Sequence, residues 1–407
     1  MGGSSSSEQV AETESSSFFT QEELSKLTSD FETAGVESVK PLIKKKITEL
    51  NKTELNIAVT GETGTGKSTF INAMRGLLST DPRAAKSGTT ETTTEPTGYS
   101  HPTLLNVHYW DLPGIGSTRF TAAKYLTEMQ FKKYDLFIII STTRFKENDM
   151  KLAREIKRLG KRFYFVRSKI EVDLDSMREE NPSFNEEEEE LDKIRRDCVQ
   201  KLKEAEILSP KVFLISSFKK EKFDFNQLNE ELERDLKNVK KMIFVLALPN
   251  LSVKIIQKKH EILNKHIWMF ATLSGELGTV PDSNFSLSSD NDVLIDAIVH
   301  FQKSLGLDDA SLQRLAEKAG IPLEGLKATV QTPLLGEITT DAIMKLNYGA
   351  AVVAISALEF AVELNPILGS IFRKDSSFLM MYNILRAALK DLTASAEIVV
   401  KVACETD

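Results

Sequence analysis

The residues Gly61, Glu62, Thr63, Gly64, Thr65, Gly66, Lys67 and Ser68 fill every fixed position of GxxxxGK[ST]. Glycines let successive backbone N–H groups turn inward around phosphate oxygens, and the helix that follows offers its positive end. A lysine reaches the terminal phosphates, and a hydroxyl ligates magnesium. The segment therefore reads as the phosphate-binding loop of a nucleoside triphosphate site, with Thr69 continuing into the helix. Farther on, Asp111, Leu112, Pro113 and Gly114 form a DxxG. An aspartate at the C-terminal end of a strand holds magnesium through water, and the amide of the glycine meets the γ-phosphate. Between the two motifs lies Ser87-Gly88-Thr89-Thr90-Glu91-Thr92-Thr93-Thr94, a hydroxyl-rich stretch without apolar period. In this order it reads as a switch loop, with Thr92 or Thr93 closing on the metal. Lys67, Thr93 and Gly114 are thus the groups expected to act on the γ-phosphate, and Ser68, Thr93 and Asp111 those expected at magnesium.

Base recognition needs a carboxylate for the N1 and N2 donors of guanine, supplied in [NT]KxD by the aspartate, with the lysine stem over the ring. Here the apolar run 163–167 is followed by Ser168, Lys169, Ile170 and Glu171. The lysine is in place, but glutamate stands for aspartate and carries its carboxylate one methylene farther. Asp173 and Asp175 are alternative acceptors. Ser216 and Ser217, after the apolar run 212–216, are the expected small polar pair at the base.

Positioning these groups requires strands that end where the motifs begin. Apolar runs at 55–60, 107–112, 136–141, 163–167 and 212–216 alternate with amphipathic stretches such as 147–159, closed by Gly160, and 185–204, opened by Asn185. That alternation predicts an α/β fold, a mostly parallel sheet flanked by helices. Glu186 to Glu190 fall in the first turns of 185–204, where carboxylates suit the helix dipole. Two helical stretches precede the first strand: one starts at Thr20 with Glu23 as a capping box, and the other, 36–50, carries Lys44, Lys45 and Lys46. Beyond about residue 248 helical periodicity holds to the end. In the last helix Phe378, Met381, Leu385, Leu389, Leu392, Ala396, Val399 and Ala403 recur at spacings of three or four. This stripe is expected to pack as core, with the helices before the first strand as candidate partners, rather than to lie on a membrane. The predicted division is a flexible segment 1–17, N-terminal helices 18–52, a nucleotide domain 53–245 and an all-α domain 246–407.

Composition narrows the classes further. The 407 residues hold 52 Lys plus Arg against 59 Asp plus Glu, a net charge of −7, which argues against nucleic acid as a partner. The two cysteines, Cys198 and Cys404, have no neighbouring cysteine or histidine at metal-ligand spacing, so a reducing, cytoplasmic setting is expected. The apolar window 348–368 is interrupted by Glu359, Glu363, Asn365 and Pro366, and no membrane span is expected. The histidines are scattered and are read as structural or solvated. Met1 to Ser6 fit M-G-x-x-x-[ST], the pattern for myristoylation of Gly2. One acyl chain binds membranes only marginally, with an association constant of about 10⁴ M⁻¹, so a second signal is required.

The run GETGTGKS, DLPGIGS, YDLFIIIS, FYFVRSK and, far downstream, GLDDASLQRLA resembles the immunity-related GTPases, the interferon-inducible family of the dynamin superfamily, in its GKS subgroup. The resemblance runs from about residue 20 to the C-terminus, and its GLDDxSL segment has no part in generic phosphate-loop chemistry. It implies binding of GTP and GDP with magnesium, hydrolysis of GTP, and a GTPase domain accompanied by a helical domain built from both chain ends. It also implies self-assembly through the nucleotide faces, pairing with other GTPases of the family, and action on the membranes of pathogen-containing vacuoles from a cytoplasmic, peripherally membrane-associated position. Glu91 is implied to activate hydrolysis. The chain departs from the family at Glu171, where aspartate is usual, and at Ser217, where asparagine is usual. Ile115 follows the DxxG glycine where a Ras-type GTPase has its water-orienting glutamine, so slow intrinsic hydrolysis awaiting a helper group is expected. A second class stays open: a nucleotide-gated regulator that controls other family members without remodelling a membrane.

Overall fold

The computed structural model describes residues 19–86, 95–113, 125, 128–143, 145–181, 187–207, 209–273, 290–346 and 376–404. The chain divides into two compact units. One takes the described residues up to 53, then 237–246 and those from 250 onward; the other takes 54–236 and 247–249. Relative to the expected boundary after residue 245, residues 237–245 fall with the helical unit.

Two helices precede the sheet, α1 (Gln21–Ala34) and α2 (Val36–Lys52). The nucleotide unit then holds β1 (Leu55–Thr60), α3 (Lys67–Met74), β2 (Thr97–Ser100), β3 (Val107–Asp111), β4 (Leu136–Ser141), α4 (Glu147–Arg158), β5 (Arg162–Arg167), α5 (Ile170–Glu180), α6 (Glu187–Glu204), β6 (Val212–Leu214) and α7 (Phe225–Asp235). The sheet order is β2-β3-β1-β4-β5-β6, parallel throughout except for β2, which runs antiparallel to β3. β1 and β4 are buried at every position, as strands covered on both faces must be. β2 is an addition to the expected strands: Thr97 to Ser100 carry no apolar period, and the segment pairs antiparallel with β3, where the Trp110 ring lies over Gly98 so closely that a Cβ would sit 2.9 Å from it. The register pairs Val59 with Asp111 and Ser141 with Arg167. The C-terminal ends of the central strands therefore open onto one crevice, the usual ligand position in such sheets. Beneath it, Phe131 stacks on Phe137 and Phe145 meets Phe165 edge-on, each pair at 4.6 Å.

The helical unit continues with α8 (Asn238–Ala247), α9 (Val253–Leu273), α10 (Asp290–Ser304), α11 (Asp309–Ala319), α12 (Leu323–Ala328), α13 (Thr340–Lys345) and α14 (Ser376–Cys404). The capping box at Thr20 and Glu23 forms as expected, and Glu23 also pairs with the buried Lys46 of the lysine cluster at 2.7 Å. The stripe on α14 is core from Phe378 to Val399. Its main partner is α9, not the helices before the first strand: His260 meets Thr393 at 2.9 Å and Gln257 bonds Glu397, while α2 packs on α9 instead. The GLDD segment makes a helix-to-helix corner. Gly306, at φ +69, ends α10 with its amide on the Lys303 carbonyl, and Asp308 caps α11 through the Ser311 amide. A Cβ on Gly306 would lie 2.4 Å from the Asn250 amide nitrogen, the end of a side chain that can move aside, so the left-handed conformation is what selects glycine.

Candidate functional site

β1 delivers the chain to Gly61, where a Cβ would stand 2.1 Å from the Ile140 carbonyl oxygen of β4. Only glycine leaves room for the turn. Gly64 (φ +82) and Gly66 (φ +88) are left-handed, and Gly66 caps α3. A Cβ on Gly64 would meet nothing within 4 Å, so there the backbone conformation alone selects glycine. Thr65 Oγ1 donates to the Glu62 carbonyl at 2.8 Å, and Lys67 Nζ donates to the Gly61 and Glu62 carbonyls at 3.1 Å each. The ammonium is thus held over a loop that ends on the positive end of a helix, an arrangement that receives an anion. Thr63 is exposed, and Thr69 lies in the first turn of α3. Glu62 also reaches sideways to Lys146, just ahead of α4, at 2.5 Å. Behind that pair, burial pushes the Asp149 carboxyl up to about 6 while it accepts from the Lys146 amide.

At the start of α3 Ser68 Oγ donates to Asp111 Oδ2 at 2.9 Å. The hydroxyl and the carboxylate are hard oxygen donors side by side, the chemistry magnesium takes when phosphates and water complete its shell. No group of three His, Cys, Asp or Glu suited to a metal occurs among the described residues. Leu112 donates to the Val59 carbonyl at 2.9 Å, which holds the start of the DxxG against β1.

At the end of β5 Ser168 Oγ donates to the Thr65 carbonyl at 2.7 Å, and Lys169 Nζ to the Gly64 carbonyl at 2.9 Å. The SKIE turn and the phosphate loop are therefore laced together, with Lys169 itself left-handed at φ +59. The three candidate carboxylates separate clearly. Asp173 pairs with Arg167, and Asp175 pairs with Arg178 at 2.8 Å. Glu171 Oε2 is buried and has no hydrogen-bond partner among the described residues. A buried carboxylate oxygen left without a donor is costly unless a ligand supplies one. Ser216 is buried with its hydroxyl accepting from the amides of Phe218 and Lys219, at 3.2 and 2.9 Å; Ser217 beside it is half-buried. Gly2, Glu91, Thr92, Thr93, Gly114 and Ile115 lie outside the described residues. Three contributors escaped the sequence reading: Lys146, Arg167 and Tyr125, whose hydroxyl bonds the Pro113 carbonyl. Each acts through a contact distant in sequence or across a strand end, which no local pattern signals.

A sheet of this order, with a phosphate loop leaving β1 and a lysine-bearing base turn leaving β5, is the arrangement of a P-loop GTPase domain. The profile of the interferon-inducible GTPases (IIGP) matches residues 20–391, and the chain belongs to that family. It is 39% identical over 335 residues to interferon-gamma-inducible GTPase 10 of Mus musculus, covering 81% of this chain and 80% of that one. It is 35% identical over 402 residues to interferon-inducible GTPase 5 of Rattus norvegicus, covering 98% and 86%. With T-cell-specific guanine nucleotide triphosphate-binding protein 2 of Mus musculus the identity is 42% over 294 residues, covering 72% and 71%. The chain is accordingly a guanine-nucleotide-binding enzyme that hydrolyses GTP.

Proposed function

We propose that GTP binding and hydrolysis at this site drive a cycle of self-assembly on intracellular membranes, in cell-autonomous defence against vacuolar pathogens. The carrying observation is the complete phosphate cradle, with Lys67 folded over its loop and Ser68 joined to Asp111 at 2.9 Å. Lys67 and the amides around Gly64 to Ser68 hold the β- and γ-phosphates. Ser68 and Thr93 would hold magnesium, with Asp111 as its further acceptor through water, and the ion would supply positive charge to the phosphate oxygens. Glu171 takes the N1 and N2 donors of guanine on its two carboxylate oxygens, the buried Oε2 among them, with the Lys169 stem over the ring and Ser216 and Ser217 at the far edge. Glu91 and Gly114 act on the γ-phosphate from the two switch segments.

Membrane attachment in this reading starts from myristoylated Gly2 on a cytoplasmic protein and becomes firm only through assembly, because one chain alone is too weak. The stripe on α14 is not available as the second signal, since α9 covers it. Among the described residues no helix is long and apolar enough to cross a membrane. The test follows GTP turnover and light scattering together as protein concentration rises, and compares wild type, Gly2→Ala and Lys67→Ala in fractionated cells. Scattering that grows with GTP and vanishes in Lys67→Ala is expected, with membrane association lost in either variant. Tight GTP binding without scattering, together with capture of other family GTPases, would transfer the chain to the class of nucleotide-gated regulators.

A further inference from the structure

At the end of β5 the Arg167 side chain is 9% exposed and serves two acceptors at once. One nitrogen pairs with Asp173 in the first turns of α5, and the other donates to the Ser168 carbonyl at 3.1 Å. The backbone of the same residue is fixed from the neighbouring strand, because its carbonyl accepts from Ile215 at 2.9 Å. Ile170, the first residue of α5, returns the link by donating to the Ile215 carbonyl at 3.3 Å. Between these anchors stands Lys169 at φ +59, a conformation that a residue with a side chain keeps only where its surroundings enforce it. Two residues on, Glu171 keeps a buried oxygen without a hydrogen-bond partner among the described residues.

We propose that Arg167 is the positioning residue for guanine specificity in this chain: by holding Asp173 and the Ser168 carbonyl together it fixes the left-handed turn at Lys169 and reserves the base site for Glu171. The inference rests on reading the SKIE turn as the base loop. It accounts for two features that the base contacts leave unexplained, namely a buried guanidinium bonded to Asp173 and to the Ser168 carbonyl, and an aspartate near Glu171 that is paired elsewhere. Charge supports the division of labour. Burial raises the Asp173 carboxyl and the negative charge of Glu171 raises it further, while Arg167 opposes both. Without the guanidinium two carboxylates would face each other, and one of them would take up a proton or swing away.

The experiment is calorimetric titration of the full-length chain with GDP and with IDP, which keeps N1–H but lacks the 2-amino donor. In Asp173→Ala and Arg167→Met the preference for GDP over IDP is expected to fall about tenfold, the size of one charge-assisted hydrogen bond, with IDP, which keeps only the N1 bond to Glu171, weakened less than GDP. Asp173→Asn, which still accepts from Arg167, is expected to keep the preference within about threefold. Thermal midpoints of each variant accompany the titrations; if Arg167→Met fails to fold, Asp173→Ala, whose side chain is partly exposed, carries the comparison. An unchanged preference in Asp173→Ala, or equal loss of GDP and IDP, would overturn the positioning role and leave the guanine reading intact. A wild-type chain that binds GDP and IDP alike would instead overturn the guanine reading itself.

Discussion

The hydroxyl of Tyr125 donates to the carbonyl of Pro113 at 2.5 Å, and Thr60 Oγ1 lies 3.3 Å from the same hydroxyl. Thr60 is the last residue of β1 before the phosphate loop, and Pro113 directly precedes the DxxG glycine. One buried phenol therefore ties the two halves of the phosphate site to each other, and burial drives its ionisation well above the ordinary tyrosine range, so it stays a donor. Tyr125→Phe keeps the ring against Phe131 and removes only the bond. The variant is expected to lose about tenfold in single-turnover GTP hydrolysis with GDP affinity within about twofold, because the link bears on the γ-phosphate side more than on the base. Equal loss in GDP binding would show the phenol to be a general support of the fold.

Much of this site is legible in the sequence because it is local. The phosphate loop and the DxxG are read from spacing, and the capping box at Thr20 and Glu23 forms as its pattern demands. GLDD is visible as a motif, but its physical role, a glycine corner crowded by Asn250 and followed by an aspartate cap, appears only in three dimensions. β2 is hidden because its own residues carry no apolar period and it is defined by its pairing with β3. The pairing of Asp173 with Arg167 and of Asp175 with Arg178 is equally hidden, because it depends on how a strand end meets a helix start. The α14 stripe shows that a face is buried, yet periodicity carries no information on what covers it.

Glu171→Asp shortens the acceptor by one methylene and removes one rotor that must be frozen on binding. With the turn at Lys169 held as it is, GDP affinity is expected to rise about threefold, the scale of one side-chain rotor. Calorimetry reads the change directly. Weaker GDP binding in the aspartate variant would mean that the loop is shaped around the longer side chain.

In the helical unit Lys259 is 3% exposed and donates to the Ser304 carbonyl at 2.8 Å, at the C-terminal end of α10. Burial pushes its ammonium down to about 7. The unfolded chain keeps that proton to about pH 10.4, so between pH 7 and about 10 the unfolded state binds more protons. Stability from this group therefore rises with pH across that window, by up to about 1.4 kcal/mol per pH unit, and is flat below pH 7, where both states are protonated. Lys259→Met is expected to raise the thermal midpoint at pH 7 and to flatten the rise toward pH 9. Burial raises the Cys198 thiol and gives a contribution of opposite sign, so the readout is the difference between wild type and variant at each pH. A difference independent of pH from 7 to 9 would mean that Lys259 stays charged in the folded protein.

Hydrolysis is expected to be cooperative in enzyme concentration. Ile115 stands where a Ras-type GTPase has its water-orienting glutamine, and Lys67 and Ser68 are expected to stabilise charge without activating a nucleophile, so a single copy is expected to need a further group. Glu91, in the switch loop, is the candidate to complete the site when two nucleotide faces meet. Specific activity at saturating GTP should then rise across the micromolar range. Glu91→Ala should flatten that rise while leaving nucleotide affinity within about twofold, since a group that acts mainly on the transition state changes turnover more than ground-state binding. Specific activity that stays constant with concentration would show that a single chain carries every group the reaction needs, and assembly would then have to be a consequence of bound GTP with no part in its hydrolysis.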